Sequence, residues 1–214
     1  MIYREIAESE LEGLRTRVTD GMSEKRRAHT LAVEDMAGRM AELYCPEKRN
    51  KVRVAALLHD MTKEYSKEKQ IDICKEYGQV LTGEDYAAPK TLHARTAAIL
   101  IPMMYPEFSD IEIINAVRYH TTGCADMTLI EKIIFLADYI DDTRVYPECV
   151  KLREMFWGAE PQKMDESKRL EHLDAVMLEA LNISISSLVE EGKLINCDTV
   201  AARNSFLLKA FCRA

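Results

Sequence analysis

The chain has 214 residues, 47% of them hydrophobic, enough to bury the core of one large domain or two small ones. Lys and Arg number 29 against 36 Asp and Glu, a formal net charge of −7, so no overall basic field draws the chain to nucleic acid or to an anionic membrane. No stretch approaches the roughly 18 apolar residues of a membrane span, and Met1-Ile2-Tyr3-Arg4-Glu5 lacks the apolar segment of a signal peptide.

Almost every segment carries helical periodicity and none alternates as a strand would, which predicts an all-α fold. A first helix is expected from Tyr3 to about Val18, ending near Asp20-Gly21. Ser23 then caps a helix from Glu24 to Tyr44, whose His29, Val33, Met36 and Met40 repeat on one face. Pro46 suits the first turn of a third helix, with Val52, Ala55, Ala56 and Leu58 apolar and His59-Asp60 at its end. Ser66 starts an amphipathic helix to Tyr77 that Gly78 stops, and the segment from Gln79 to Lys90, with Gly83 and Pro89, reads as a mobile loop.

Helix resumes at Thr91-Leu92-His93 and runs to about Met103; Pro106 marks the next turn, and Ser109 or Asp110 caps Ile111 to His120. Thr121-Thr122-Gly123 breaks the chain before a strongly apolar helix from Met127 to Ile140 that carries Asp138 near its end. Tyr146-Pro147 opens a helix through Trp157, a long helix follows from about Asp165 to Glu191, and Asp198 caps a last one to about Phe211. With no repeat, low-complexity tract or flexible linker, one domain over residues 1–214 is expected, its core at about 23–157 and the remaining helices packed around it. The six cysteines, Cys45, Cys74, Cys124, Cys149, Cys197 and Cys212, form no Cys-x-x-Cys pair and are expected to be reduced thiols, mostly in packing. His172, inside a charged helix, is expected at the surface, and Trp157 in the core.

The chemistry gathers where apolar helices meet polar residues. Leu57-Leu58-His59-Asp60-Met61-Thr62-Lys63 reads as a buried helix ending at a polar site. Asp138 follows Ile133-Ile134-Phe135-Leu136-Ala137, and an unpaired carboxylate in that setting costs several kcal/mol, so it needs a cationic or metal partner. Taken singly, His29 could be a hydrogen-bonded core histidine, and His93 and His120 could terminate their helices.

In order, His29, His59-Asp60, His93, His120 and Asp138 arrive from different helices of one bundle, a pattern that resembles the HD-domain metal-dependent phosphohydrolases. The resemblance extends to one branch, the YqeK-type symmetrical bis(5′-nucleosyl)-tetraphosphatases, and rests on Arg26-Arg27-Ala28-His29-Thr30, the segment from Leu57 to Lys63, Leu92-His93, His120-Thr121-Thr122-Gly123, and Ala137-Asp138-Tyr139-Ile140 with Arg144. It covers about Ser23 to Trp157, and Asp198-Thr199-Val200-Ala201-Ala202-Arg203-Asn204 is similar to the closing helix of the branch. Cys124, Asp141-Asp142 (in place of a usual Glu-Pro) and Asn196-Cys197 (in place of a usual His-Pro) depart from it.

The resemblance implies an HD-domain helical bundle in which His29, His59, Asp60 and Asp138 hold a first metal. His93 and His120 would line a second position, as ligands of a second ion bridged by Asp60 or as groups contacting phosphate, with either able to act on the leaving oxygen. Arg26, Thr62, Lys63, Thr121 and Arg144 would contact substrate beside His93, His120 and Asp138. Iron, as one or two ions, is what the branch implies, and the imidazole and carboxylate set also suits manganese or zinc. The expected reaction is symmetrical cleavage of diadenosine tetraphosphate to two ADP in the cytoplasm. Two alternatives stay open: an HD phosphohydrolase acting on a mono- or triphosphate, and a nucleotide-binding regulatory module. A small nucleotide is the expected partner, without nucleic acid or membrane, and self-association stays open.

Overall fold

The computed structural model describes residues 5–213, which contain eleven α-helices and no β-strand. Helix α1 (Glu8–Thr19) starts three residues after Glu5 because Ala7 is extended and its N–H is capped by Glu10. The expected start at Tyr3 lies outside the described residues. Helix α2 (Glu24–Tyr44) begins at the Ser23 cap, and a 3₁₀ turn at Pro46–Lys48 leads into α3 (Arg49–Leu58). Helix α3 is the innermost element: Val52, Val54 and the run Ala55 to Leu58 are all inaccessible, packed among α1, α2, α7 (Ile111–Tyr119) and α8 (Leu129–Ile140). Helix α8 is the second apolar axis, with Ile130, Ile133, Ile134, Leu136, Ala137 and Ile140 buried.

Around this pair lie α4 (Lys67–Glu76), α6 (Leu92–Met104), α9 (Pro147–Gly158), α10 (Glu166–Glu190) and α11 (Cys197–Arg213). Among the described residues α10 is the one helix that reaches the length and apolarity of a membrane span. Its stripe of Leu173, Val176, Met177, Ala180 and Leu181 is buried, and the helix packs against α8, α9 and α11.

Several boundaries differ from expectation for local reasons. The segment 79–90 is not a plain loop: Thr82 and Asp85 form a capping box for a short helix α5 (Gly83–Ala87), and buried Asp85 is bound to Arg95 of α6 at 3.1 Å. Asp110, not Ser109, caps α7. Thr128 and Glu131 form the capping box of α8, so it starts two residues after Met127. Helix α11 begins at Cys197, with the Asn196 side chain, not that of Asp198, accepting from the Asp198 N–H. His172 is half-buried, stacked on Phe156 and donating to its carbonyl at 3.0 Å, which ties α10 to α9. Trp157 is half-buried, under the Arg39 guanidinium. All six cysteines are free, three of them buried, with Cys197 and Cys212 exposed.

One ion-pair cluster holds α1 and α3 against α2. The carboxylate of Glu34, 5% exposed, takes a forked pair from Arg15 at 2.7 and 2.8 Å and a further donor from Arg53 at 3.0 Å. Removing the central acid leaves the two half-buried guanidinium groups with only their exposed partners, Glu12 for Arg15 and Glu8 for Arg53. Glu34→Ala should therefore cost about 2 kcal/mol, a fall in Tm of roughly 4–8 °C by thermal denaturation. Glu12→Ala, at an exposed partner of the same Arg15, should change stability by no more than about 0.5 kcal/mol.

Candidate metal centre and active site

Three helices end at one side of the bundle and deliver their last residues to one spot. His59 is the C-cap of α3, His120 is the C-cap of α7, and Asp138 lies in the final turn of α8. His93 joins them from the first turn of α6, and His29 from within α2. Helix C-termini carry unpaired carbonyls and a partial negative charge, so this end attracts cations before any side chain is counted. Two of those carbonyls are used at once: Nδ1 of His59 donates to Ala56 O at 2.5 Å, and Nδ1 of His120 to Val117 O at 2.7 Å. Nδ1 of His93 donates in the same way to Lys90 O at 2.6 Å. A carbonyl only accepts, so each Nδ1 carries the proton and the neutral ring turns a lone pair at Nε2 inward.

Asp60, 2% exposed, divides the site. Its Oδ2 faces His59 Nε2 at 3.5 Å and His29 Nε2 at 3.8 Å. Asp138 Oδ1 completes this group, 2.9 Å from His29 Nε2 and 3.9 Å from His59 Nε2. The other oxygen, Oδ1, faces His93 Nε2 at 3.1 Å, His120 Nε2 at 3.4 Å and Lys63 Nζ at 3.7 Å. The Nε2 atoms of His93 and His120 lie 3.0 Å apart, with Thr121 Oγ1 3.1 Å from each and Lys63 Nζ 3.0 Å from His93.

This donor set fits a metal. His59 Nε2 and Asp60 Oδ1 are buried and make no aligned hydrogen bond, an expensive arrangement for polar atoms unless a cation takes their lone pairs. Two ligand groups, His29-His59-Asp138 and His59-Asp60-His120, each hold their donor atoms within 4.8 Å of one another. Ligands about 2.1 Å from one ion stand roughly 3–4 Å apart, as here.

Charge on the site is finely divided. Burial pushes the pKa of His59 and of His93 down to about 4, so both are neutral near pH 7. Burial also acts against the carboxylates of Asp60 and Asp138, but the cationic and imidazole neighbours outweigh it and hold both well below the usual range. For His29 burial opposes the proton, yet Asp138 and Asp141 prevail and raise its pKa to about 9.

The arginines expected at phosphate are here bound to the carboxylates: Arg26 pairs with Asp60 Oδ2, and Arg144 with Asp138 Oδ1 at 2.6 Å. Thr62 is fully buried, its hydroxyl donating to His93 O at 2.7 Å and lying 2.8 Å from Thr96 Oγ1; it joins the turn after α3 to α6 from behind the site. Two residues were missed by sequence reasoning. Asp141, wholly buried, has Oδ2 3.4 Å from His29 Nδ1, and Thr143 Oγ1 is 3.3 Å from the same nitrogen. A carboxylate one residue past the apolar run of α8 was the available signal.

A cleft of about 550 Å³ opens from Thr121 between the turn at Pro89–Thr91 and helices α10 and α11, with Ala88, Pro89, Leu188 and Ile195 among its walls. Gly123, at φ +67°, keeps α11 close there, since a Cβ would meet that of Ala202 at 3.0 Å.

A family model described as the HD domain matches residues 26–143, over half of the chain and all of the residues gathered above apart from Arg144. The fold and the site define an HD-domain hydrolase. A symmetrical bis(5′-nucleosyl)-tetraphosphatase of Halalkalibacterium halodurans is 31% identical over 190 residues, spanning 88% of this chain and 92% of the relative. One of Staphylococcus aureus is 34% identical over 139 residues, 64% of this chain and 69% of the relative. A crystal structure from Clostridium acetobutylicum, described as a predicted HD superfamily hydrolase involved in NAD metabolism, superposes with a TM-score of 0.79 at 30% identity, covering 92% of this chain and 97% of that one. The chain belongs to the symmetrical bis(5′-nucleosyl)-tetraphosphatase family of HD-domain proteins.

An ion taken up beside His29 has to displace its proton. Below about pH 9 the ring is protonated, so apparent metal affinity should rise roughly tenfold per pH unit from 6.5 toward 9 and then level off. Metal titration at several pH values, with proton release followed in weak buffer, measures this; uptake without proton release contradicts it.

Proposed function

We propose that this protein is a cytoplasmic, metal-dependent hydrolase that cleaves diadenosine tetraphosphate symmetrically into two ADP. The observation that carries the reading is the division of the Asp60 carboxylate, one oxygen turned to His29, His59 and Asp138 and the other to His93, His120 and Lys63. On this reading His29, His59, Asp60 and Asp138 would hold a first ion, and His93 and His120, with Asp60, would hold a second. Iron is the ion that the family resemblance favours, and manganese or zinc suits the same donors. When bound, such an ion supplies Lewis acidity, lowering the pKa of water and drawing charge from phosphate oxygens.

The protein's own groups set the direction of the reaction. Arg26 and Arg144 each use part of a five-donor guanidinium on a carboxylate and keep further N–H groups for phosphate oxygens. Lys63 is half-buried and adds a point charge at the His93 side. Because His93 and His120 commit Nδ1–H to backbone carbonyls, their Nε2 atoms are bases, which favours ligation over protonation of a leaving group. A strong acid is not required there, since ADP leaves as a phosphate oxyanion whose second pKa is about 6. Thr121 borders both the histidines and the apolar cleft, which suits one nucleoside of the substrate.

Hydrolysis of diadenosine tetraphosphate in oxygen-18 water should label one of the two ADP products at its terminal phosphate. Labelled AMP with unlabelled ATP at early times, or turnover of NAD and not of the tetraphosphate, would overturn the proposal. A protein that binds metal and nucleotide and turns over neither would instead be a regulatory module.

Substitutions separate the two kinds of residue. His59→Ala and Asp60→Ala should abolish both metal content and hydrolysis. Arg26→Ala should retain metal and lose roughly 10–150-fold in kcat/KM, corresponding to one charge-assisted contact of about 1.5–3 kcal/mol. Elemental analysis and steady-state kinetics on the same preparations read both, and unchanged kinetics in Arg26→Ala would remove it from the phosphate site.

A further inference from the structure

The four histidines of the site are not oriented by the same device. His59, His93 and His120 each donate Nδ1–H to the carbonyl three residues earlier, Ala56, Lys90 and Val117. His59 and His120 can do so because each lies at a helix C-terminus, where such carbonyls have no helical partner, and His93 uses the carbonyl of Lys90 in the 3₁₀ turn before α6. His29 is the sixth residue of the 21-residue α2, and the carbonyls beneath it are committed to the helix. Its Nδ1 must find an acceptor elsewhere.

We propose that Thr143 and Asp141 are the positioning residues that fix the ring of His29, holding the proton on Nδ1 so that Nε2 faces the metal site. Thr143 Oγ1 stands 3.3 Å from His29 Nδ1 in hydrogen-bonding geometry. The Thr143 hydroxyl donates to Asp141 Oδ1, and the Thr143 N–H donates to the same oxygen at 2.9 Å. With its own proton given to Asp141, the threonine oxygen can only accept from His29. Asp141 Oδ2 lies a further 3.4 Å from Nδ1 and 3.4 Å from Arg144 Nε, so one buried carboxylate backs both His29 and the arginine on Asp138. The loop itself is strapped down by Arg153, which donates to the carbonyls of Ile140, Asp141 and Arg144. A carboxylate behind a histidine ligand fixes its tautomer and strengthens it as a donor, and loss of such a partner typically costs 10–100-fold in metal affinity.

The inference rests on the reading of His29 as a metal ligand. Thr143 is a surface residue with only its hydroxyl turned inward, so Thr143→Val changes little besides that hydroxyl. Metal affinity is measured with zinc and with manganese against a competing chelator, in the wild type, Thr143→Val, Thr143→Ser and Asp141→Asn. Thr143→Val and Asp141→Asn should each bind about 10–100-fold more weakly, and Thr143→Ser within about twofold of wild type. Hydrolysis by the two weakened variants should recover when metal is raised in proportion, with KM for the tetraphosphate unchanged in Thr143→Val; a residue that merely supports the fold would not be rescued in this way. Wild-type affinity in Thr143→Val, or equal loss in Thr143→Ser, overturns the role of Thr143, and wild-type affinity in Asp141→Asn overturns that of Asp141. If the wild type itself takes up no metal, it is the reading of the site that fails.

Discussion

A carboxylate buried as deeply as that of Asp60 has to be matched by positive charge on both of its oxygens, and the rest of the site follows from that requirement. Neither oxygen can be satisfied from its own helix, because Asp60 lies just beyond the last turn of α3. The partners therefore come from α2, α6 and α7 and from the turn that carries Lys63. The core serves this arrangement: the C-terminal halves of α3 and α8, Val54 to Leu58 and Ile133 to Ala137, are buried, so the ends that carry the site are fixed relative to one another by close packing.

Helix ends supply a second economy. A histidine at a C-terminus finds an unpaired carbonyl three residues back and is oriented without any other side chain, which is how His59 and His120 are held. A histidine in mid-helix has no such neighbour and depends on a distant loop, as His29 depends on the segment from Asp141 to Thr143. The site is thus secured locally at three points and by tertiary structure at the fourth.

These facts explain which parts were legible in the sequence. An apolar run broken by His-Asp, or by a lone Asp, is a conflict visible without coordinates, so His59, Asp60 and Asp138 stand out, and helical period places His29 on the inward face of α2. Thr143 carries no such signal, and that of Asp141, a carboxylate just past the apolar run of α8, is weak, since a short acidic loop after a helix reads as solvated surface until its packing is known. Thr62 differs in the opposite sense: the resemblance implies a substrate contact, whereas its fully buried hydroxyl is used inside the bundle. The helix at Gly83–Ala87 was hidden because its stability comes from Asp85 reaching Arg95 on another helix, and not from local period.

A strongly anionic substrate and an acidic protein pose an electrostatic problem that the site resolves by division of charge. Asp60, Asp138 and Asp141 stand against Arg26, Lys63, Arg144 and the protonated His29, and both arginines and the imidazolium are already paired to an acid. Such a set has little net attraction for phosphate, and the helix C-termini around it are unfavourable to anions as well. A divalent ion between His29, His59, Asp60 and Asp138 would take over the neutralisation of the carboxylates and leave the guanidinium groups a surplus of positive charge toward solvent. The cations and the acids are therefore not two independent sets: on the proposed reading, phosphate binding by Arg26 and Arg144 would be tied to metal occupancy through the carboxylates they contact, by Coulomb's law and without any change of fold.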